Sequence, residues 1–153
     1  MPAILNRLTL PFFFTAKALL SPTVLGVLGL VQDKDGRVLL ARHSYMSGWL
    51  MPGGGVDRGE PPEHALLREL KEEVGFIRGT APELIRPYTR KGGWATNVVL
   101  LYRVRDAEIA FKPNLEIREA AFFAPDALPE GVTPATRRRI EETIGDRSPS
   151  LHW

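Results

Sequence analysis

Residues 61–74 dictate more of this chain's architecture than any other stretch. Apolar and charged positions alternate there with a spacing of roughly 100° per residue, the signature of an amphipathic helix. Proline stands in the first turn, where a missing N–H is tolerated, and Gly75 is placed to close the helix. Glu69, Glu72 and Glu73 stand at i, i+3 and i+4 and therefore project from one stripe. Leu67, Leu70 and Val74 fall on another side and are expected to pack against a sheet. Ala65 lies one turn before the carboxylates on their own stripe and is small enough to leave space there.

Such an acidic stripe is unfavourable alone. Like charges one turn apart cost about 0.2–0.5 kcal/mol per pair in an isolated helix. Glu72 and Glu73 also sit toward the helix C-terminus, where the macrodipole disfavours anions. Arg68 offsets part of this, because it reaches Glu72 at i+4. A divalent cation such as Mg²⁺ would offset more, since hard cations favour carboxylate oxygens. The preceding Gly53-Gly54-Gly55 is expected to be a loop whose backbone can approach a ligand closely, with a carbonyl as a further oxygen ligand. A solvated charged face is the bland reading of a lone pair of glutamates. Three of them after a glycine-rich run point to a cation site.

The flanking sequence supplies a sheet. Residues 23–31 form a near-continuous apolar run, as expected of a strand buried on both faces. Asp33-Lys34-Asp35-Gly36 reads as a turn, and residues 37–43 as the returning strand of a hairpin. Further strands are expected over 84–90, 96–105 and 119–124, with a last amphipathic helix over 134–144. No trusted pattern follows Gly145. Strands interleaved with helices predict an α/β domain with a mixed sheet. The expected layout is one domain over 1–153, with a helical extension over 1–20 and a core over 21–145.

The 153 residues carry a formal net charge of +2, too little for a nucleic-acid groove. Arg137-Arg138-Arg139 is the single basic run and reads as a solvated helix face. There is no cysteine, which removes disulfides, thiolate nucleophiles and zinc–cysteine sites, and suits a reducing cytoplasm. Residues 8–20 are rich in Leu and Phe and resemble a leader peptide. Only Arg7 supplies positive charge, however, and Pro11 interrupts the run. The stretch is far short of the roughly 20 apolar residues a membrane span requires. It is expected to be a short helix packed on the domain or on a second subunit in a homodimer.

Together, Gly54, Glu60, Arg68-Glu69-Leu70, Glu72-Glu73 and Gly75-Phe76 resemble the Nudix box with no position missing. Gly48-Trp49-Leu50-Met51-Pro52-Gly53-Gly54 is similar to that family's usual lead-in. The resemblance implies an α/β/α sandwich with a mixed sheet, of MutT-like type. It also implies a hydrolase that cleaves a diphosphate linkage in a nucleoside diphosphate joined to another group, using Mg²⁺ or in its place Mn²⁺. By that resemblance Glu69, Glu72 and Glu73 are metal ligands and the Gly54 carbonyl is a fourth. Arg68 would hold the carboxylates, and Glu60 would orient the loop at the helix start. In many relatives a carboxylate from a later loop takes part. Glu116 and Glu119 are the candidates here, and Glu116 is preferred, giving Arg68, Glu69, Glu72 and Glu116 as the catalytic set.

A nucleobase needs an aromatic platform, and Tyr45, Trp49, Trp94 and Phe123 are the candidates, with Arg42 and Arg90 placed to meet phosphate oxygens. The expected partner is therefore a small nucleoside diphosphate derivative rather than a nucleic-acid polymer or a membrane. Isopentenyl-diphosphate isomerase shares this fold but depends on a cysteine, which this chain lacks. A non-catalytic nucleotide sensor on the same scaffold is the rival. Its relatives usually lose box carboxylates, and all are present here.

Overall fold

In the computed structural model, which describes Lys17, Leu19, Leu20 and residues 22–153, the fold is organised around its first strand, β1 (Thr23–Val31). Further strands follow in chain order: β2 (Val38–His43), β3 (Gly53–Gly55), β4 (Phe76–Arg78), β5 (Glu83–Gly92), β6 (Ala95–Val104) and β7 (Glu108–Ile109). Strand β8 (Ile117–Phe123) is the last strand among the described residues, and the helices described over their full length are α1 (Pro62–Val74) and α2 (Pro134–Thr143). The main sheet runs β3-β1-β6-β5; β1 is parallel to β6 and antiparallel to β3, so the sheet is mixed as expected. Apart from Lys17, Leu19 and Leu20, which are helical, the proposed N-terminal helix lies outside the described residues.

Successive side chains of a strand point to opposite faces, and here each face has its own core. Val27 and Val31 of β1 and Tyr102 and Val104 of β6 pack with Ala65, Leu66, Leu70 and Val74 of α1. Leu30, Leu101 and Tyr88 pack on the other face with Met51, Trp49 and Ile140 of α2. The result is the α/β/α layering. Burial on both faces explains the apolar run of β1, although its first two residues, Thr23 and Val24, are exposed. On α1 the inner face is Leu66 rather than Leu67, which is only half-buried, and Ala65 is fully buried in the core instead of leaving space beside the carboxylates.

Two expectations about pairing are corrected. Gly36 turns the chain at φ +77 and Asp33 accepts the N–H groups of Asp35 and Arg37, as a hairpin would require. Yet the only bridge at this turn, Gln32–Val38, lies just past the end of β1, and β2 then pairs antiparallel with β8. Both edges of β1 are already occupied, by β6 and by β3. The glycine run expected as a loop is itself strand β3, with Gly53, Gly54 and Gly55 opposite Leu28, Val27 and Gly26. Gly53 has φ +139, and a Cβ there would sit 2.2 Å from the Val27 carbonyl oxygen, so only glycine lets this edge approach β1. Gly75 ends α1 at φ 66, its N–H directed to the Leu70 and Lys71 carbonyls. The short pair β4 and β7, absent from the sequence reading, follows directly.

The basic run is also corrected. Arg137 and Arg138 are exposed, but Arg139 is fully buried. Its Nη2 donates to Glu142 Oε1 at 2.9 Å, and its guanidinium lies 4.3 Å from the Tyr88 ring centroid. Tyr88 in turn donates to Glu142 Oε2 at 3.2 Å. Removing one member of a buried pair leaves the other charge without compensation. Arg139→Ala is therefore expected to cost about 3–5 kcal/mol in chemical denaturation. Arg138→Ala, one residue away, should stay within about 0.5 kcal/mol of the parent.

Candidate active site

The site is built where α1 crosses the end of β3. No side chain caps the start of α1; Pro61 occupies the N-cap with extended backbone. The bracing comes from Arg68 instead. Its Nε and Nη2 donate to the two oxygens of Glu60 at 3.0 Å each, and Nη2 also donates to the Gly55 carbonyl at 3.0 Å. Nη1 donates to Glu69 Oε1 at 2.9 Å and lies 3.6 Å from Glu72 Oε2. One guanidinium thus ties the loop before the helix, the glycine strand and two of the three stripe carboxylates together. Glu60 further accepts the Asp57 N–H at 3.0 Å. The Arg68 hydrogen bonds, with that of Asp57, hold the Glu60 carboxyl down at about 2.

The carboxylates differ in environment. Glu72 is largely exposed, Glu69 is mostly covered, and Glu73 is buried with 4% of its surface accessible. Glu73 Oε2 accepts the Gly53 N–H at 2.9 Å. Burial pushes the Glu73 carboxyl up to about 7, reinforced by the charges of Glu69, Glu116 and Glu72 and opposed by the Gly53 hydrogen bond. His43 Nε2 lies 3.9 Å from Glu73 Oε1, and burial lowers the histidine's pKa while the Glu116 charge raises it. Both partners are thus driven toward their neutral forms, and the contact is not an ion pair of the usual kind.

Among the described residues, no three acidic or histidine side chains are already closed around one point. The donor set nevertheless fits a hard divalent cation. Gly54 forms a cradle that a Cβ would fill at 2.5 Å from the Glu69 carboxyl carbon, so glycine at this position is what admits that carboxylate. Oxygens from Glu69, Glu72, Glu73 and Gly54 are the residue types a magnesium site uses, and convergent negative charge there is relieved by a cation.

Of the two later carboxylates, Glu119 stands opposite Arg42 in the β2–β8 ladder and pairs with it at 3.2 Å. Glu116 lies on the site side, its charge acting on His43, Tyr45 and Glu73. What positions Glu116 was not singled out in the sequence. Asn114 Oδ1 accepts the N–H groups of Glu116 and Ile117 at 2.9 and 2.8 Å, while its Nδ2 donates to the Glu73 carbonyl at 3.2 Å. This asparagine joins the Glu116 loop to the end of α1. A Pro-Asn-Leu run before a strand hints at a turn but not at its target.

An apolar cavity of about 260 Å³ opens beside the carboxylates, lined by Gly53, Gly54, His43, Tyr45, Met51 and Arg90 among others. Tyr45 stands edge-on to His43 at 5.3 Å with 67% of its surface exposed. Arg90, expected with Arg42 to meet phosphate oxygens, reaches this cavity, whereas Arg42 lines a neighbouring polar cavity of about 380 Å³ with Tyr45 and Arg118. Trp49 and Phe123 are corrected: they pack edge-on against one another at 4.9 Å in the core under α2, and neither lines the cavity. Their place follows from register, since Phe123 pairs with Val38 and Trp49 bridges Val132. Trp94 sits 83% exposed at the β5–β6 turn and lines neither of these two cavities.

Comparison with known proteins agrees with this geometry. The NUDIX domain family model matches residues 22–143. An RNA pyrophosphohydrolase of Acinetobacter baylyi is 38% identical over 65 residues, 42% of this chain and 37% of that protein. The match therefore spans little more than a third of that relative's length. A MutT-like protein of Streptomyces ambofaciens is 28% identical over 125 residues, 82% of this chain and 79% of its own. The crystal structure of a MutT Nudix hydrolase from Burkholderia pseudomallei superposes with a TM-score of 0.69 at 27% identity, covering 80% of this chain and 99% of that one. The mixed sheet between α1 and α2, the Arg68-braced carboxylates and these matches place the chain in the Nudix family, on the MutT-like side.

Proposed function

We propose that this domain is a Mg²⁺-dependent pyrophosphohydrolase that cleaves the diphosphate linkage of a nucleoside diphosphate joined to another group, with Mn²⁺ able to substitute. The observation that carries the reading is the Arg68 clamp, which holds Glu69 and Glu72 on the stripe beside Glu73, next to a ligand-sized cavity. Named activities of relatives point the same way, since the Acinetobacter baylyi protein is an RNA pyrophosphohydrolase. The small charge of this chain favours a small nucleotide over a polymer. A cysteine-free chain suits the cytoplasm.

In this reading Glu69, Glu72, Glu73 and the Gly54 carbonyl hold the cation, which when bound neutralises the diphosphate and acidifies the attacking water. The chain's own residues do the rest. Arg68 fixes the stripe so that its oxygens need not reorganise during reaction. Glu116, held by Asn114, accepts the proton of the water as its oxygen forms a bond to phosphorus and the bridging P–O bond breaks. The departing phosphate keeps the bonding electrons. Arg90 and Tyr45 line the cavity beside the carboxylates, where the nucleotide is bound in this reading.

Glu72→Gln is expected to fold with an unchanged melting temperature, because Glu72 is largely exposed, while the Mg²⁺-dependent rate falls by orders of magnitude. Glu116→Gln should lower kcat by roughly a hundredfold or more, and Glu119→Gln should leave it near the parent value. A panel of nucleoside triphosphates, ADP-ribose, sugar nucleotides, dinucleoside polyphosphates and 5′-triphosphate RNA, assayed with Mg²⁺ and with EDTA, identifies the substrate. Binding of a nucleotide without release of any product in either condition would favour the sensor reading.

A further inference from the structure

The segment after α2, which carried no legible pattern, returns to the edge of β5. Thr89 N–H donates to the Leu151 carbonyl at 3.2 Å, and Trp153 N–H donates to the Thr89 carbonyl at 3.1 Å. The buried Arg139 latches this returning segment. Its Nη1 donates to the His152 carbonyl at 3.0 Å, and its guanidinium lies 5.4 Å from the Trp153 ring centroid. The indole also stands edge-on to Tyr88 at 5.5 Å. Hydrolysis as described above uses none of these contacts, yet they spend a fully buried arginine on fixing one tryptophan.

What that tryptophan does follows from the space around it. Trp153 and Arg90 are shared by the 260 Å³ cavity beside the carboxylates and a second cavity of about 450 Å³ lined by Thr89, Thr96 and His152. Trp153 is thus a partition. Resting on the pyrophosphohydrolase reading, we propose that Trp153 is a specificity-determining wall: it offers its indole to the base of a single nucleotide and sets the size of ring the cavity accepts. The volume argues for one base, since it falls just below the roughly 300–1,000 Å³ of pockets for drug-sized ligands. Aliphatic side chains, among them Leu28, Met51 and Val99, line part of the rest, which suits a planar ring stacked on an aromatic face. Without the indole the two cavities join, and bulkier rings fit.

The test pairs kinetics with binding. With the substrate found by the panel, Trp153→Ala should raise KM roughly tenfold or more with kcat near the parent value, the scale of one lost base stack. Trp153→Phe should recover most of the loss, and Trp153→Ala should narrow the preference between small and bulky bases. In EDTA, where no turnover occurs, a nucleoside monophosphate should quench tryptophan emission of the parent and leave that of Trp153→Phe unmoved, a readout that decides the matter even if Trp153→Ala does not fold. An unchanged KM in a folded Trp153→Ala, or a quench that survives in Trp153→Phe, would overturn the proposal. If no diphosphate is cleaved but the quench is present and lost in Trp153→Phe, the hydrolase reading falls and the wall stands.

Discussion

Arg68 resolves a conflict that the rest of the site creates. Three glutamates on one helical stripe repel one another, and burial drives Glu73 toward its neutral form. A single guanidinium with five donors is suited to hold several acceptors in fixed directions. Here it spans Glu60, the Gly55 carbonyl, Glu69 and Glu72, so the loop, the strand and the helix stripe are fixed by one planar group. Lysine could not do this, because its ammonium has no rigid fork. The Glu60 and Asp57 contacts set the loop before the helix, and Gly53 to Gly55 then fall into line as a strand.

The same economy appears in the backbone. The β3 edge is usable only because side chains are missing from it: Gly53 would collide with Val27, and Gly54 with Glu69. Those glycines bring a polar backbone N–H to Glu73 and open the space in which the Glu69 carboxylate sits. On the far side of the sheet, α2 and the strand at Thr89 enclose Arg139 and position Trp153 at the cavity. One face of the sheet therefore carries the acidic stripe through α1, and the other supplies part of the wall that a ligand would meet.

How much of this was legible depends on the range of the interaction that decides it. The helix expected over 61–74 and found at Pro62–Val74, its closing Gly75 and the common stripe of Glu69, Glu72 and Glu73 are local matters of spacing. The bounds of β1 were legible to the residue, because a near-continuous apolar run marks a strand whose later residues are buried. Pairing was not legible. That β2 joins β8 depends on both edges of β1 being filled by distant segments, information absent from residues 33–43. Arg139 shows the same limit: three consecutive arginines look alike in sequence, and only the helix phase against Tyr88 and Glu142 buries one of them. Trp49 and Phe123 were read as platforms because aromatic residues suit both stacking and cores, and register put them in a core. Asn114 acts through contacts to the end of α1, some forty residues away in sequence.

These parts converge on one claim, that the braced carboxylates of α1 hold a divalent cation. Titration of Mn²⁺ into the protein without substrate, followed by the electron paramagnetic resonance signal of the free ion, tests it without reference to any reaction. Loss of free-ion signal on binding to the parent protein, abolished in a Glu69→Gln, Glu72→Gln double variant that melts normally, is the predicted result. A free-ion signal as strong with the parent protein at millimolar Mn²⁺ as in buffer alone would contradict the account.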